Sequence, residues 1–392
     1  MQKKLIALAV AGLASTAAFA QSNVTVYGVA DGSFDVVKVS NSAADGNNLG
    51  NTTRVSTNSS LIGFKGAESL GNGLTAVFQF ESGIGFENGG SLSASRDSYV
   101  GVAGGFGTVV LGTLTGPTRA LGSALDVNAG ATGIGANTAL LGKLGNHLVG
   151  TTDTNGSYTA NAGCTTRSST CASIFDTRWK NAIAYVSPTF AGLSLTAAYV
   201  ANENKSTAGN LGTAAQANTT GYDVGLKYAN GPVMAAVTYN AVDLGNNNTS
   251  FSGKSTDVAD FRVGASYDFG IATVRALFDS TRADNYSTVG KATQNVYGLG
   301  ATYNVTPAGK LLAQAYFARD LKVNGSSAKD TGAKLFELGY EHSLSKRTML
   351  KAVYAHLNND DGAAYDFGIN ATGVAKAGAT VQGLSLGLRH TF

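Results

Sequence analysis

Charge is scarce in this chain: only 14% of 392 residues are Asp, Glu, Lys or Arg, and there are two cysteines, four prolines, four histidines and one tryptophan. A chain so poor in charge is not disordered, and points to a large-cored globular protein or a membrane protein. Basic excess is also missing. If Lys3 and Lys4 leave with an amino-terminal leader, 28 basic residues fall by two to 26, against 25 acidic ones, so nothing suggests nucleic acid as a partner. No stretch of about 18 apolar residues follows residue 20, which excludes membrane helices but leaves closed barrels open. The histidines, His147, His342, His356 and His390, are scattered and form no H-E-x-x-H or Cys/His cluster, so no metal site is expected. Catalytic motifs fail on context. Gly383-Leu384-Ser385-Leu386-Gly387 matches G-x-S-x-G, but lies within a strand pattern instead of a strand-to-helix turn. Gly253-Lys254-Ser255 imitates the end of a phosphate-binding loop, but Asn248 stands where its first glycine must be. Neither enzyme activity nor a cofactor is expected.

What is present begins with an export signal. Lys3 and Lys4 precede an apolar run from Leu5, which ends in Ala18-Phe19-Ala20, an A-x-A cleavage pattern. Residues 1–20 read as a signal peptide, with the mature chain from about Gln21, and the apolar run is too short for a membrane anchor. In an exported chain, Cys164 and Cys171, in one Ser/Thr-rich segment, read as a short local disulfide.

Glycine is abundant, at 51 residues. The mature chain repeats one unit of about ten residues alternating apolar and polar, followed by a turn or loop. In Tyr222–Tyr228 and Phe261–Phe269, the aromatic and aliphatic side chains share one face and Asp, Gly, Lys, Arg and Ser the other. Short breaks fall at 68–73, 104–107, 188–192, 230–232, 268–270, 306–309 and 344–347. Longer polar segments fall near 38–57, 83–95, 113–177, 201–220, 242–258, 281–293, 320–333 and 358–380. Seven turns alternating with eight loops give sixteen strands with both termini at the short-turn end. Tyr199, Tyr228, Tyr239, Tyr267, Tyr303 and Tyr340 recur near strand ends, as an interfacial girdle requires. The expected fold is all-β: a 16-stranded antiparallel transmembrane β-barrel, wide enough for an aqueous channel. A soluble exported adhesin or sandwich domain remains a distant alternative.

Several strings, in order, carry a family resemblance: Val24-Thr25-Val26-Tyr27-Gly28-Val29-Ala30-Asp31, Gly63-Phe64-Lys65-Gly66, Leu70-Gly71-Asn72-Gly73-Leu74, Arg96 with Tyr99-Val100-Gly101, Phe106–Gly112, Arg178 with Asn181, Leu344–Thr348 and the closing His390-Thr391-Phe392. Across essentially the whole mature chain (21–392) the sequence resembles the trimeric general porins of Gram-negative bacteria, in the branch typical of betaproteobacteria. The resemblance implies passive diffusion of small hydrophilic solutes and ions through a homotrimeric barrel in contact with outer-membrane lipid and lipopolysaccharide. A substrate-specific channel or an outer-membrane barrel enzyme is the alternative.

The resemblance also implies that the third external loop, here within 113–150, folds inward as a constriction. Arg96 and Arg178 occupy the positions of two wall arginines, and Lys65 and Arg119 are further constriction candidates. Leu61 stands where arginine is usual, and Leu111-Gly112-Thr113-Leu114 likewise lacks the usual basic residue after its glycine. Asp126 is the only acid between Thr113 and Gly150, so a weakly polarised, weakly anion-preferring eyelet follows. Leu388, His390 and Phe392 resemble the terminal signal that the barrel-assembly machinery reads.

Overall fold

In lipid, every backbone donor and acceptor must be satisfied internally, and an alternating strand does this only if its sheet closes. The computed structural model describes residues 23–42, 48–87, 89, 92–145, 150–152, 158–160, 172–201, 220–244, 257–286 and 290–392. The leader, His147, Cys164 and Cys171, with the expected disulfide, lie outside the described residues.

Sixteen antiparallel strands form one closed barrel. They are β1 (Asn23–Ser40), β2 (Leu49–Thr57 and Leu61–Gly71, broken at 58–60), β3 (Leu74–Gly83), β4 (Ser98–Gly104), β5 (Gly107–Leu114), β6 (Trp179–Val186), β7 (Leu193–Val200), β8 (Thr220–Asn230), β9 (Val233–Asp243), β10 (Asp257–Asp268), β11 (Ala272–Tyr286), β12 (Gly290–Asn304), β13 (Gly309–Ala318), β14 (Ala333–Ser343), β15 (Thr348–Asn359) and β16 (Thr380–Thr391). Neighbours in sequence are neighbours in the sheet, and β1 closes it by pairing with β2 on one edge and with β16 from Val29↔Thr391 to Ser40↔Thr380 on the other. Gly28 and Phe392 exchange two backbone hydrogen bonds of 3.0 Å, so the last residue belongs to the seam. The one α-helix among the described residues, α1 (Pro117–Leu125), lies in the segment between β5 and β6, and no described helix is long and apolar enough to cross a membrane.

The two faces of the wall invert the soluble pattern. Phe64, Phe80, Val100, Leu111, Val224, Val263, Leu299, Leu338 and Leu386 are exposed, whereas Asp31, Asp35, Asp223, Asp260, Arg262, Asp279 and Glu337 are buried. An exposed apolar band on the outside and buried polar groups inside is what a lipid-facing barrel demands. On β8, β10 and β12, the pairs Tyr222/Tyr228, Phe261/Tyr267 and Tyr297/Tyr303 stand six residues apart, about 20 Å along a strand. They mark the two edges of that band. The Tyr222 and Tyr239 rings meet at 6.2 Å, and those of Tyr267 and Phe269 at 4.5 Å.

The expected short turns all appear. At the first, Gly71, Asn72 and Gly73 take φ of 81°, 51° and 76°, a left-handed run open to glycine and asparagine. Two expected loops were too long: 38–57 shrinks to 41–48, and 281–293 to 287–289, because β1, β2, β11 and β12 continue past the apolar band. Beyond that band the outer face meets water, so Thr53 and Arg282 break the alternation yet keep their ladder partners Val36 and Thr293, and the register shifts only past them, near Asn51 and Asp284.

Candidate functional site

The chain between β5 and β6 should be solvated if it were an ordinary connection. Instead 22 of the 29 residues from Gly116 to Leu144 are buried. Helix α1 shows how this segment is held. Gly116 at its N-cap offers no capping side chain. Asp223 of β8 supplies one from the wall, accepting from Thr118 Oγ1 at 2.6 Å and from Thr118 N at 3.2 Å, a carboxylate at a helix N-terminus where exposed N–H groups and the dipole favour it. At β10, Arg262 is fully buried. It donates to the Thr118 carbonyl at 3.1 Å, to both oxygens of Asp176 at 3.0 and 3.2 Å and to Asp279 Oδ2 at 2.9 Å, with Asp260 at 3.5 Å.

The segment continues along the buried face of the wall. Val127 N donates to Gln314 of β13 at 3.3 Å, Asn128 Nδ2 to Glu337 of β14 at 2.9 Å, and Thr132 Oγ1 to Ser59, within the break of β2, at 3.2 Å. It then returns: Gly142 N and Gly145 N donate to Asp279 of β11 and Gln294 of β12 at 3.4 and 2.7 Å. Apolar residues fill the space between, with Leu121, Leu125, Ile134, Leu140 and Leu141 packed against Val296, Leu335 and Ala355. A large part of the molecule's apolar core therefore lies between loop and wall.

The strip from β1 to β4, with the chain that leads into β6, carries a different set. Lys65 Nζ lies 5.0 Å from the Tyr27 ring centre, Tyr27 OH donates to Glu81 Oε1 at 2.8 Å, and Tyr99 OH donates to Gln79 Oε1 at 3.3 Å. Arg96 pairs with Glu81 at 3.4 Å and Arg178 with Asp97 at 3.1 Å, and the two arginine side chains keep 19% and 16% exposure. Burial, and then the like charge of Arg178, lowers the Arg96 guanidinium from its ordinary value. Arg119 projects from α1 beside both: burial, and then Arg178, pulls it down to about 10. It has no ion pair or hydrogen bond among the described residues.

Of the residues expected at a constriction, Arg96, Arg119 and Arg178 are thus brought together, with Lys65 further along the same strip. Asp126 is not with them. It is 4% exposed and accepts from Asn137 N at 2.7 Å, Asn128 N at 2.8 Å and Gln314 Nε2 at 3.3 Å, so it ties the loop to β13 instead of facing the arginines. The acids that do face them, Glu81, Asp97 and Asp176, all lie outside 113–150, the only stretch in which the sequence reading counts acids: Glu81 and Asp97 on the wall before it, and Asp176 after it. Asp176, two residues before Arg178, was the available signal. Lys143, on the same segment, is fully buried and its Nζ has no hydrogen-bond partner among the described residues. Burial lowers it to about 7 against the attraction of Asp366 and Asp176.

Comparison with known proteins agrees with this architecture. Residues 7–362 match the Gram-negative porin family. Outer membrane porin protein 32 of Delftia acidovorans is 34% identical over the full length of both chains, and an outer membrane porin protein of Bordetella pertussis is 27% identical over 92% of this chain and 95% of its own. The solved structure of the anion-selective porin from Comamonas acidovorans superposes with a TM-score of 0.71 at 29% identity, covering 95% of this chain and all of that one. With a closed sixteen-stranded wall, an apolar exterior and a polar interior, the chain belongs to the Gram-negative porin family.

Proposed function

We propose that this chain is a passive, weakly anion-preferring diffusion channel of the bacterial outer membrane, its narrowest zone bounded by the segment 115–145 and by Arg96, Arg119, Arg178 and Lys65. The observation that carries this reading is the unequal use of the inner wall. The loop segment is bonded to the buried face of β8 and of β10 to β14, so the space left for solutes borders β1 to β5, where the arginines gather. Selectivity is set by charge in the narrowest place, and Debye screening over about 8 Å mutes charges farther away. The Comamonas acidovorans porin is called anion-selective, which supports the same sign here. Small hydrophilic solutes and ions are the cargo; the relatives are porins, and chemistry on the solute is not part of this reading.

Reversal potentials across a planar bilayer under a salt gradient test it. The unmodified channel should favour anions weakly, less so as salt rises, and R96A/R178A should shift it toward cations. A marked cation preference, or no response to the double substitution, would sink the placement of the eyelet.

The remaining partners follow from the outer face. Its apolar band meets lipid and lipopolysaccharide, and part of it serves a homotrimer. At the seam, Leu388 and Phe392 are exposed on that face, the Phe392 ring lies over Gly28, and His390 Nδ1 is 2.9 Å from Thr348 Oγ1. This terminal strand is the element offered to the barrel-assembly machinery. Deleting Phe392 should cut the amount of folded, heat-modifiable protein in the outer membrane without reducing export; normal insertion would count against it.

A further inference from the structure

The connection between β15 and β16, residues 360–379, is also not an ordinary surface loop. Eight consecutive residues, 365–372, are buried, although connecting segments normally run over the surface because their backbone polar groups need partners. Here those groups are supplied. Asp366 accepts from Phe367 N, Thr372 N, Thr372 Oγ1 and Gly373 N at 2.7 to 3.1 Å, which folds the segment upon itself. Arg54 of β2, held by Asp35 at 3.3 Å, donates to the Ala371 carbonyl at 2.9 Å and to the Asn370 carbonyl. Asn370 Nδ2 donates to Asn58 at 2.8 Å in the break of β2. One side of the segment is therefore fixed to the wall.

Its other side is set against the segment 115–145. A methyl group built on Gly368 would lie 2.2 Å from Thr138 Oγ1 and 2.5 Å from Ala139 N, so the two backbones touch there with no room for a side chain. Phe367 is buried in the same cluster as Ile134 and Leu140. Tyr365 OH accepts from Gly145 N at 3.0 Å and donates to Gln294 of β12 at 2.7 Å. Contacts at Thr138–Ala139, Ile134 and Gly145 meet the returning half of the segment, after it has crossed from β14 to β2.

We propose that the loop 360–379 is a wedge that sets the position of the constriction segment, with Arg54 and Gly368 as positioning residues, so that the eyelet is dimensioned by two loops instead of one. This rests on the reading of 115–145 as the constriction. The stretch of the wedge at 363–376 holds one acid, Asp366, and one base, Lys376, so its charges cancel. Its loss should widen or loosen the passage while leaving the sign of ion preference alone, an outcome that general destabilisation of the barrel would not give.

Single-channel recording tests this on full-length protein whose folding is first checked by heat-modifiable migration. Replacing 363–376 with a short Gly–Ser turn should raise conductance roughly two-fold with a noisier open level, since the narrowest zone controls passage, and should keep the anion preference. R54A, which leaves every strand intact, should add open-level noise, and Gly368→Val should alter conductance by forcing Thr138–Ala139 to move. A variant shortened within 128–140 is the control: if it leaves conductance unchanged, the constriction reading itself fails. If that control widens the pore but the turn replacement, R54A and Gly368→Val all conduct like the unmodified channel, the wedge is overturned. Should the turn replacement not fold, the two point variants decide the matter alone.

Discussion

The inner wall has two arcs built from the same residue types and put to different uses. Along β8 to β14, Arg262 is enclosed by Asp176, Asp260 and Asp279, and Glu337 shares the donors of Gln314 and Asn128 with Asp126. Along β1 to β4 and the approach to β6, Arg96 and Arg178 each take one carboxylate and keep a share of solvent. The difference is access. A covered arginine must satisfy all its donors within the protein, because an unpaired buried charge is costly. An uncovered one can leave donors to water and project its field into the passage. On the proposed reading, the covered arc is a fastening and the uncovered arc a selectivity surface, with the segment 115–145 between them.

The largest effect is expected from breaking the fastening. Arg262→Ala would strand three buried carboxylates and remove the donor to the Thr118 carbonyl, a change of the class that costs about 3–5 kcal/mol. The strand ladder is not involved, so the barrel should still fold and run as a heat-modifiable band. The cost should appear locally, as rapid amide exchange in 117–125 and around Asp176 with a noisy, enlarged conductance. Protection of α1 unchanged from the parent channel would show that Arg262 does not fasten it. A corresponding R178A channel should keep α1 protected.

Much of the frame, though little of this fastening, was legible in the sequence. The alternation of β8 and β10, the seven tight turns and the terminal strand are local patterns of period two, and a lipid-facing wall enforces them residue by residue. Where β1, β2, β11 and β12 rise beyond the apolar band, the enforcement stops and the expected loops came out too long. Arg96 and Arg178 could be placed through family strings around them. The partners of the loop could not: Thr118 meets Asp223 across 105 residues and Arg262 across 144, and no local period encodes such pairings. Asp126 misled for the same reason, since its role depends on Gln314, 188 residues away.

The uncovered arc can be sharpened by separating paired from unpaired charge. Removing Arg96 together with its acid, R96A/E81Q, leaves the local net charge unchanged, so the permeability ratio should stay near that of the parent. Arg119 has no such partner, and R119A alone should move the reversal potential toward cations. If R96A/E81Q shifts selectivity as much as R119A does, net charge in the arc is not what sets the preference.

Lys143 lies on the border between the arcs. Its ammonium is enclosed by the returning half of the segment 115–145, with Asp366 and Asp176 nearby but no hydrogen-bond partner for Nζ among the described residues. Folding lowers its proton affinity from the ordinary 10.5 to about 7. Between those values the unfolded chain binds a proton that the folded chain does not, so this residue's contribution favours folding increasingly as pH rises from about 7 toward 10.5. Below pH 7 both states are protonated and the burial penalty is fully present. Lys143→Met, which keeps the chain's apolar stem and removes the unpaired charge, should therefore stabilise the segment by about 1–3 kcal/mol at pH 6, and this advantage should shrink toward pH 10. Exchange protection at Gly142 and Leu144, compared between the two proteins at the two pH values, is the measurement. An advantage that grows with pH, or a destabilised Met variant at pH 6, would mean that Asp366 and Asp176 compensate the ammonium and that Lys143 belongs with Arg262 among the fastenings.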